Sequence, residues 1–123
     1  IYLGGGTTKL LLNLFEKWEL VDILRHALKQ GTRIAGMSAG AQALSAWYVH
    51  EEGGVMELCR GWDIVPVCTL VHANKDSVER AKMLWKNDSP ARANNFIAIG
   101  ERSAWRVDAN GGKKIGPGEI WEY

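Results

Sequence analysis

The sequence predicts an α/β fold: a mostly parallel sheet sandwiched by helices. Three observations carry this. Short apolar, β-branched runs at residues 1–3, 32–35, 64–71 and 96–99 alternate with stretches whose apolar residues recur at helical spacing. Glycines or capping residues punctuate the changes from one to the other. One strand-like run leads without a linker into Gly36-Met37-Ser38-Ala39-Gly40 and a small-residue helix start, the strand–turn–helix setting of a nucleophile elbow.

Taken in order, Ile1, Tyr2 and Leu3 form a strand that stops at Gly4-Gly5-Gly6. Thr7 or Thr8 caps the next helix, which runs to about Trp18, because a threonine oxygen satisfies an otherwise free N–H. Leu10, Leu11, Leu14 and Phe15 give that helix its apolar stripe, and Leu20, Val21, Ile23, Leu24, Ala27 and Leu28 repeat the spacing in a second one. Gly31 stands where a left-handed residue ends a helix. Residues 32–35 form the strand before the Gly-x-Ser-x-Gly turn. A serine at such a tip is held in strained backbone, and a Cβ on either flank would collide with the neighbouring strand or helix.

Residues 47–54 mix aromatic and polar groups, contain His50-Glu51-Glu52, and read as a loop closed by a Gly-Gly turn. Residues 64–71 form a strand with Pro66 near its start, ending at His72. Asp76 caps the helix that follows, with Glu79 as its capping-box partner. Residues 96–99 form a strand stopped by Gly100 and followed by Glu101. Trp105 to Asp108, the Asn110-Gly111-Gly112 turn and Ile120-Trp121-Glu122 read as a terminal hairpin or meander.

The totals describe one domain over residues 1–123, 46% hydrophobic and 24% charged. The chain opens inside a strand, so N-terminal strands of the sheet are expected to be missing, as in a fragment or a short form that completes its sheet with a partner. A net charge of +1 offers no field for nucleic acid or membrane as partners. Cys59 and Cys68 lack metal-ligand spacing, and two thiols without a leader or an apolar span of ~18 residues indicate the cytoplasm. The six tryptophans are expected under loops or at a subunit contact, which admits a homo-oligomer. Neither a metal nor a cofactor is called for.

In parallel sheets the functional groups gather at the carboxyl ends of the strands. Gly4-Gly5-Gly6, Ser38, His72 and Glu101 each follow a predicted strand. A serine needs a base to take its proton, a neutral imidazole is the usual base, and a carboxylate holds the imidazole in the right tautomer. The tetrahedral oxyanion needs fixed N–H donors: Ala39, after the nucleophile, supplies one, and a glycine on the adjacent rim the other. The competing readings are structural. The triple glycine suits a phosphate, but no Gly-x-x-x-x-Gly-Lys-Ser/Thr follows. His26 lies near a helix end, and His50 with Glu51 and Glu52 reads as a solvated turn.

Gly4-Gly5-Gly6-Thr7-Thr8-Lys9-Leu10-Leu11, Gly36-Met37-Ser38-Ala39-Gly40-Ala41, the stretch from Asp63 to His72, and Ala98-Ile99-Gly100-Glu101 together resemble the peptidase E family. These are aspartyl dipeptidases among the serine peptidases, related to cyanophycinase and to class I glutamine amidotransferases. The likeness covers nearly the whole chain and about the C-terminal half or more of a family member. It implies a class I glutamine amidotransferase-like α/β fold with Ser38 as nucleophile, His72 as base and Glu101 as third member, ahead of Glu51 or Glu52. It further implies Gly6 and Ala39 as the oxyanion-hole donors. Val71 and Ala73 depart from the proline and aromatic residue that often flank the family's histidine. The arginine that would hold a substrate Asp has no match. Arg80, the nearest cation in sequence, and Thr7, beside the glycines, are the substrate-binding candidates. The implied function is hydrolysis of small peptides, with Asp-X dipeptides the candidate class. The alternatives are an α/β-hydrolase esterase, which the residue order disfavours, and a truncated, non-catalytic homologue acting as an interaction or dimerisation module.

Overall fold

The computed structural model describes residues 1–88 and 90–123. Strand β1 (Tyr2–Leu3) passes through the three glycines into α1 (Thr8–Lys17), and α2 (Leu20–Lys29) follows once Glu19, at φ 55°, has turned the chain. Thr7 is the N-cap residue of α1, yet its side chain makes no capping bond. Thr8 points inward and donates to the Gln42 side-chain oxygen. Strand β2 (Ala35–Gly36) lies parallel to β1, with Leu3 opposite Gly36, and leads through Met37 and Ser38 into α3 (Ala39–Leu44).

Strand β3 (Ser45–Glu52) begins where α3 ends and returns as β4 (Val55–Arg60). Gly53 and Gly54, at φ 59° and 79°, make the two-residue turn that a tight hairpin requires. Strand β5 (Val65–Val71), α4 (Lys75–Asn87), a 3-10 turn at Ala91–Ala93 and β6 (Asn95–Ile99) come next. A hairpin of β7 (Ala104–Asp108) and β8 (Gly111–Ile115) follows, and β9 (Ile120–Glu122) closes the chain.

Five strands form the main sheet in the order β4-β3-β5-β6-β9. Strands β3, β5 and β6 run parallel, while β4 and β9 are antiparallel on the two edges. The sheet is therefore mixed, which corrects the expectation of a mostly parallel one. The reason is connection length. A parallel neighbour needs a long crossover, which α4 supplies between β5 and β6, whereas two glycines can only reverse the chain. A second correction concerns residues 47–52, expected in a loop: they belong to β3, which pairs on both sides and buries Ala46, Tyr48 and Val49. A third concerns α4. Asn74, not Asp76, is its cap, exchanging bonds of 3.0 Å with Ser77 in a capping box.

Two cores result. In the larger, α4 sets Val78, Ala81 and Trp85 against Cys68, Leu70 and Phe96 of the sheet. In the smaller, α1 and α2 close over Leu3, Leu44 and Trp62, with Phe15 stacked on Trp62 at 4.8 Å. Trp62 and Trp85 are thus core residues, whereas Trp18 is 65% exposed. Among the described residues no helix is long and apolar enough to cross a membrane.

Candidate active site

Close packing shapes the turn that carries Ser38. A Cβ on Gly36 would stand 2.4 Å from the Gly40 carbonyl carbon, and one on Gly40 would stand 2.3 Å from the Leu3 carbonyl oxygen. Only hydrogen fits at either place. Between them Ser38 is held at φ 50°, ψ −109°, a conformation uncommon outside glycine. The turn is tied down by Met37 N–H to Leu3 O and Gly40 N–H to Met37 O, both 2.9 Å. Ala39 is the first residue of α3, so its N–H has no carbonyl one turn earlier to receive it. The glycine loop lies alongside: a Cβ on Gly5 would touch Ser38 Cβ at 3.6 Å, and Gly6, next along, sits at φ 138°.

The other two groups come from the main sheet. Val71 of β5 is in register with Ile99 of β6, so the two parallel strands end level. One residue beyond β5 is His72, and two beyond β6 is Glu101. His72 turns away at φ 53°, and Ala73 N–H then bonds Ile99 O at 3.0 Å. This brings His72 Nε2 to 2.9 Å from Ser38 Oγ and His72 Nδ1 to 2.7 Å from Glu101 Oε1. A carboxylate only accepts, so the proton belongs on Nδ1, and Nε2 is left free to accept from the serine hydroxyl.

The His72 and Glu101 side chains are 63% and 76% exposed. Solvent screens so exposed a pair, so it holds the ring's orientation far more than it holds the fold. The Glu101 turn is itself gripped by the segment before β9. Gly100 N–H donates to Glu119 O at 3.0 Å and Gly118 N–H to Arg102 O at 3.2 Å. Ser103 Oγ lies 2.7 Å from Gly100 O and 3.1 Å from Glu119 O. Nothing in the local sequence announces this contact, since its two halves are 16 residues apart.

Ser38, His72 and Glu101 are thus brought together, with Ala39 and the glycine loop beside them. Thr7 adjoins Gly6 at the start of α1. Arg80 is not brought in. Its Nε donates to Asp76 at 3.2 Å and its Nη2 to Glu51 at 2.9 Å, which also occupies Glu51. Glu52 lies 3.5 Å from His50. An open groove of about 1620 Å³ is lined by residues that include Ser38, His72, Glu101, Val71, Ile99 and Trp105 of the β7–β8 hairpin. Arg33, Arg102 and Arg106 border it, cations that proximity in sequence did not single out.

The model of peptidase family S51 matches residues 1–115. The chain is also similar to the protein named Uncharacterized peptidase YgaJ of Bacillus subtilis (strain 168), with 51% identity over 53 residues. That stretch covers 43% of this chain and 21% of the relative's length.

Proposed function

The chain belongs to peptidase family S51, the peptidase E family, and from that premise we propose a serine hydrolase that cleaves small peptides through an acyl-enzyme. The observation that carries the proposal is the unbroken contact chain Ser38–His72–Glu101, at 2.9 and 2.7 Å. We read the Gly36–Gly40 turn as a nucleophile elbow, supported by the positive φ of Ser38 and the two glycines that no larger residue can replace. The two free cysteines, Cys59 and Cys68, fit a cytoplasmic setting.

In this mechanism Ser38 Oγ attacks the scissile carbonyl as its proton passes to His72 Nε2. Glu101 steadies the imidazolium through the Nδ1 proton without taking it. The Gly6 and Ala39 N–H groups receive the tetrahedral oxyanion. His72 then protonates the leaving amine, and a water deprotonated by the same nitrogen releases the acyl group from Ser38. The proton transfers of this reading are supported by the Ser38–His72 and His72–Glu101 contacts of 2.9 and 2.7 Å.

Asp-X dipeptides are the substrates we favour, and an acidic side chain calls for a cation at the groove. Arg102 makes no ion pair among the described residues, whereas Arg106 is held by Asp108 at 3.3 Å. We keep Thr7 as a candidate substrate contact. Arg80, occupied by two carboxylates, fits that role less well. A fluorophosphonate probe tests the proposal, because it reacts only with an activated serine. Wild type should label and Ser38→Ala should not, with the variant's unfolding midpoint unchanged. A wild-type chain that stays unlabelled rules out the hydrolase and leaves the interaction module. Asp-X, Glu-X and Ala-X dipeptides then separate the substrate classes.

A further inference from the structure

We propose that Ser103 is a positioning residue for this site: its hydroxyl staples the turn that carries Glu101 and thereby sets which ring nitrogen of His72 holds the proton. The proposal rests on the Ser38–His72–Glu101 reading above and concerns a residue that touches neither the nucleophile nor the base.

A glutamate that is 76% exposed has several rotatable bonds and little surrounding protein to fix them. Its 2.7 Å contact with His72 Nδ1 must therefore be set largely by where its backbone is placed. That backbone lies in the turn 100–103, with Arg102 in the left-handed region at φ 61°. Among the described residues, no hydrogen bond from the Ser103 N–H closes this turn onto Gly100 O. The Ser103 hydroxyl closes it instead, reaching Gly100 O at 2.7 Å within the turn and Glu119 O at 3.1 Å across it. One proton thus links both sides of the turn to the segment that precedes β9.

The opposite side is walled by backbone. A Cβ on Gly118 would stand 1.8 Å from the Glu101 carbonyl oxygen, so the segment lies directly against the residue whose carboxylate faces His72. Gly118 N–H to Arg102 O and Gly100 N–H to Glu119 O hold that wall in place. Glu101 therefore sits between a backbone wall and a side-chain staple. Without the hydroxyl, the turn keeps the wall but loses its closure. An imidazole whose Nδ1 has lost its acceptor is free to carry its proton on Nε2, where it cannot accept from Ser38.

The ring-nitrogen chemical shifts of His72, measured by 15N NMR on the intact chain, report the tautomer without any substrate. Wild type should show the proton on Nδ1, and Glu101→Ala should lose that preference. Ser103→Ala should shift His72 in the same direction as Glu101→Ala and slow fluorophosphonate labelling of Ser38 roughly tenfold, as expected for loss of about one hydrogen bond. Its KM for a cleaved dipeptide should stay put while kcat falls. Ser103→Thr, which keeps the hydroxyl, should restore both the shifts and the rate. Gly118→Ala displaces the same turn from the other side and should give the same ring signature, which covers the case of a Ser103→Ala chain that does not fold. Wild-type ring shifts in the folded Ser103→Ala or Gly118→Ala chain overturn the proposal. Absence of labelling in wild type overturns the hydrolase reading alone, because the ring shifts still decide the role of Ser103.

Discussion

Replacing Gly40 by alanine tests the packing logic of the site in a single methyl group. The added carbon would stand 2.3 Å from Leu3 O and 2.8 Å from both Leu3 C and Leu3 Cβ, whereas ordinary contact begins at 3.4 Å. The gap must open by about 1 Å, and backbone lies on both sides of it, so no flexible side chain can give way. Leu3 cannot move alone, because its carbonyl accepts from Met37 N–H at 2.9 Å and its chain continues into the glycine loop. Overpacking of this kind costs about 1–3 kcal/mol of stability. A displacement of about 1 Å between a nucleophile and its partners costs on the order of 100-fold in rate. Urea unfolding reads the first quantity and the second-order rate of fluorophosphonate labelling reads the second. Gly4→Ala is the control, since a Cβ there meets nothing within 4 Å. A Gly40→Ala chain with the wild-type midpoint and labelling rate would show that the Gly36–Gly40 turn has slack, and the reasoning would fail.

Three further outcomes are expected. Arg80→Ala should leave dipeptide kcat/KM within about twofold, because its guanidinium is occupied by Glu51 and Asp76; a large rise in KM would return it to the substrate site. Thr8→Val should destabilise by about 1–3 kcal/mol in urea, since it strands the buried Gln42 oxygen that Thr8 now satisfies. Alkaline conditions should weaken the fold. Burial pushes the Cys68 thiol from 9.0 up to about 12 and holds the Tyr48 phenol above its ordinary value. Below pH 9 both groups are protonated folded or unfolded. Above it the unfolded chain gives up protons that the folded chain keeps, so stability should fall by up to roughly 1.4 kcal/mol per pH unit from Cys68 alone. Cys68→Ala should flatten that slope in pH-dependent unfolding, and an unchanged slope would remove the thiol from the account.

Ser38, His72 and Glu101 could be singled out from the sequence because each follows an apolar run that forms a parallel strand. That the strand before Ser38 pairs with β1 in a sheet of its own, apart from the strands before His72 and Glu101, was not legible. The direction of the edge strands was not legible in the same way. It depends on how short each connection is, and His50-Glu51-Glu52 gave the end of β3 the look of a loop even though Trp47-Tyr48-Val49 is good strand material. The α4 cap was misplaced by two residues because Asp76 with Glu79 and Asn74 with Ser77 offer the same kind of side chains at the same spacing. Ser103 and Gly118 were invisible for a different reason. Their importance comes from a contact between segments distant in sequence, and periodicity carries no trace of it. Closeness along the chain to His72 made Arg80 a candidate, while the structure pairs it with Glu51 and Asp76, contacts that sequence order does not show.

The three proposed catalytic groups stand on two separate pieces of β-structure. Ser38 hangs from the β1–β2 pair, whereas His72 and Glu101 hang from the five-stranded sheet. Their meeting point is a seam, bridged by the direct passage of α3 into β3 and by bonds such as Ile64 N–H to Leu44 O and Gln42 Nε2 to Val49 O, both 3.0 Å. A small slip of one piece against the other would part the serine from the imidazole while every strand and helix stayed intact. If the proposed mechanism holds, mild denaturant should silence fluorophosphonate labelling of Ser38 before the far-ultraviolet spectrum changes.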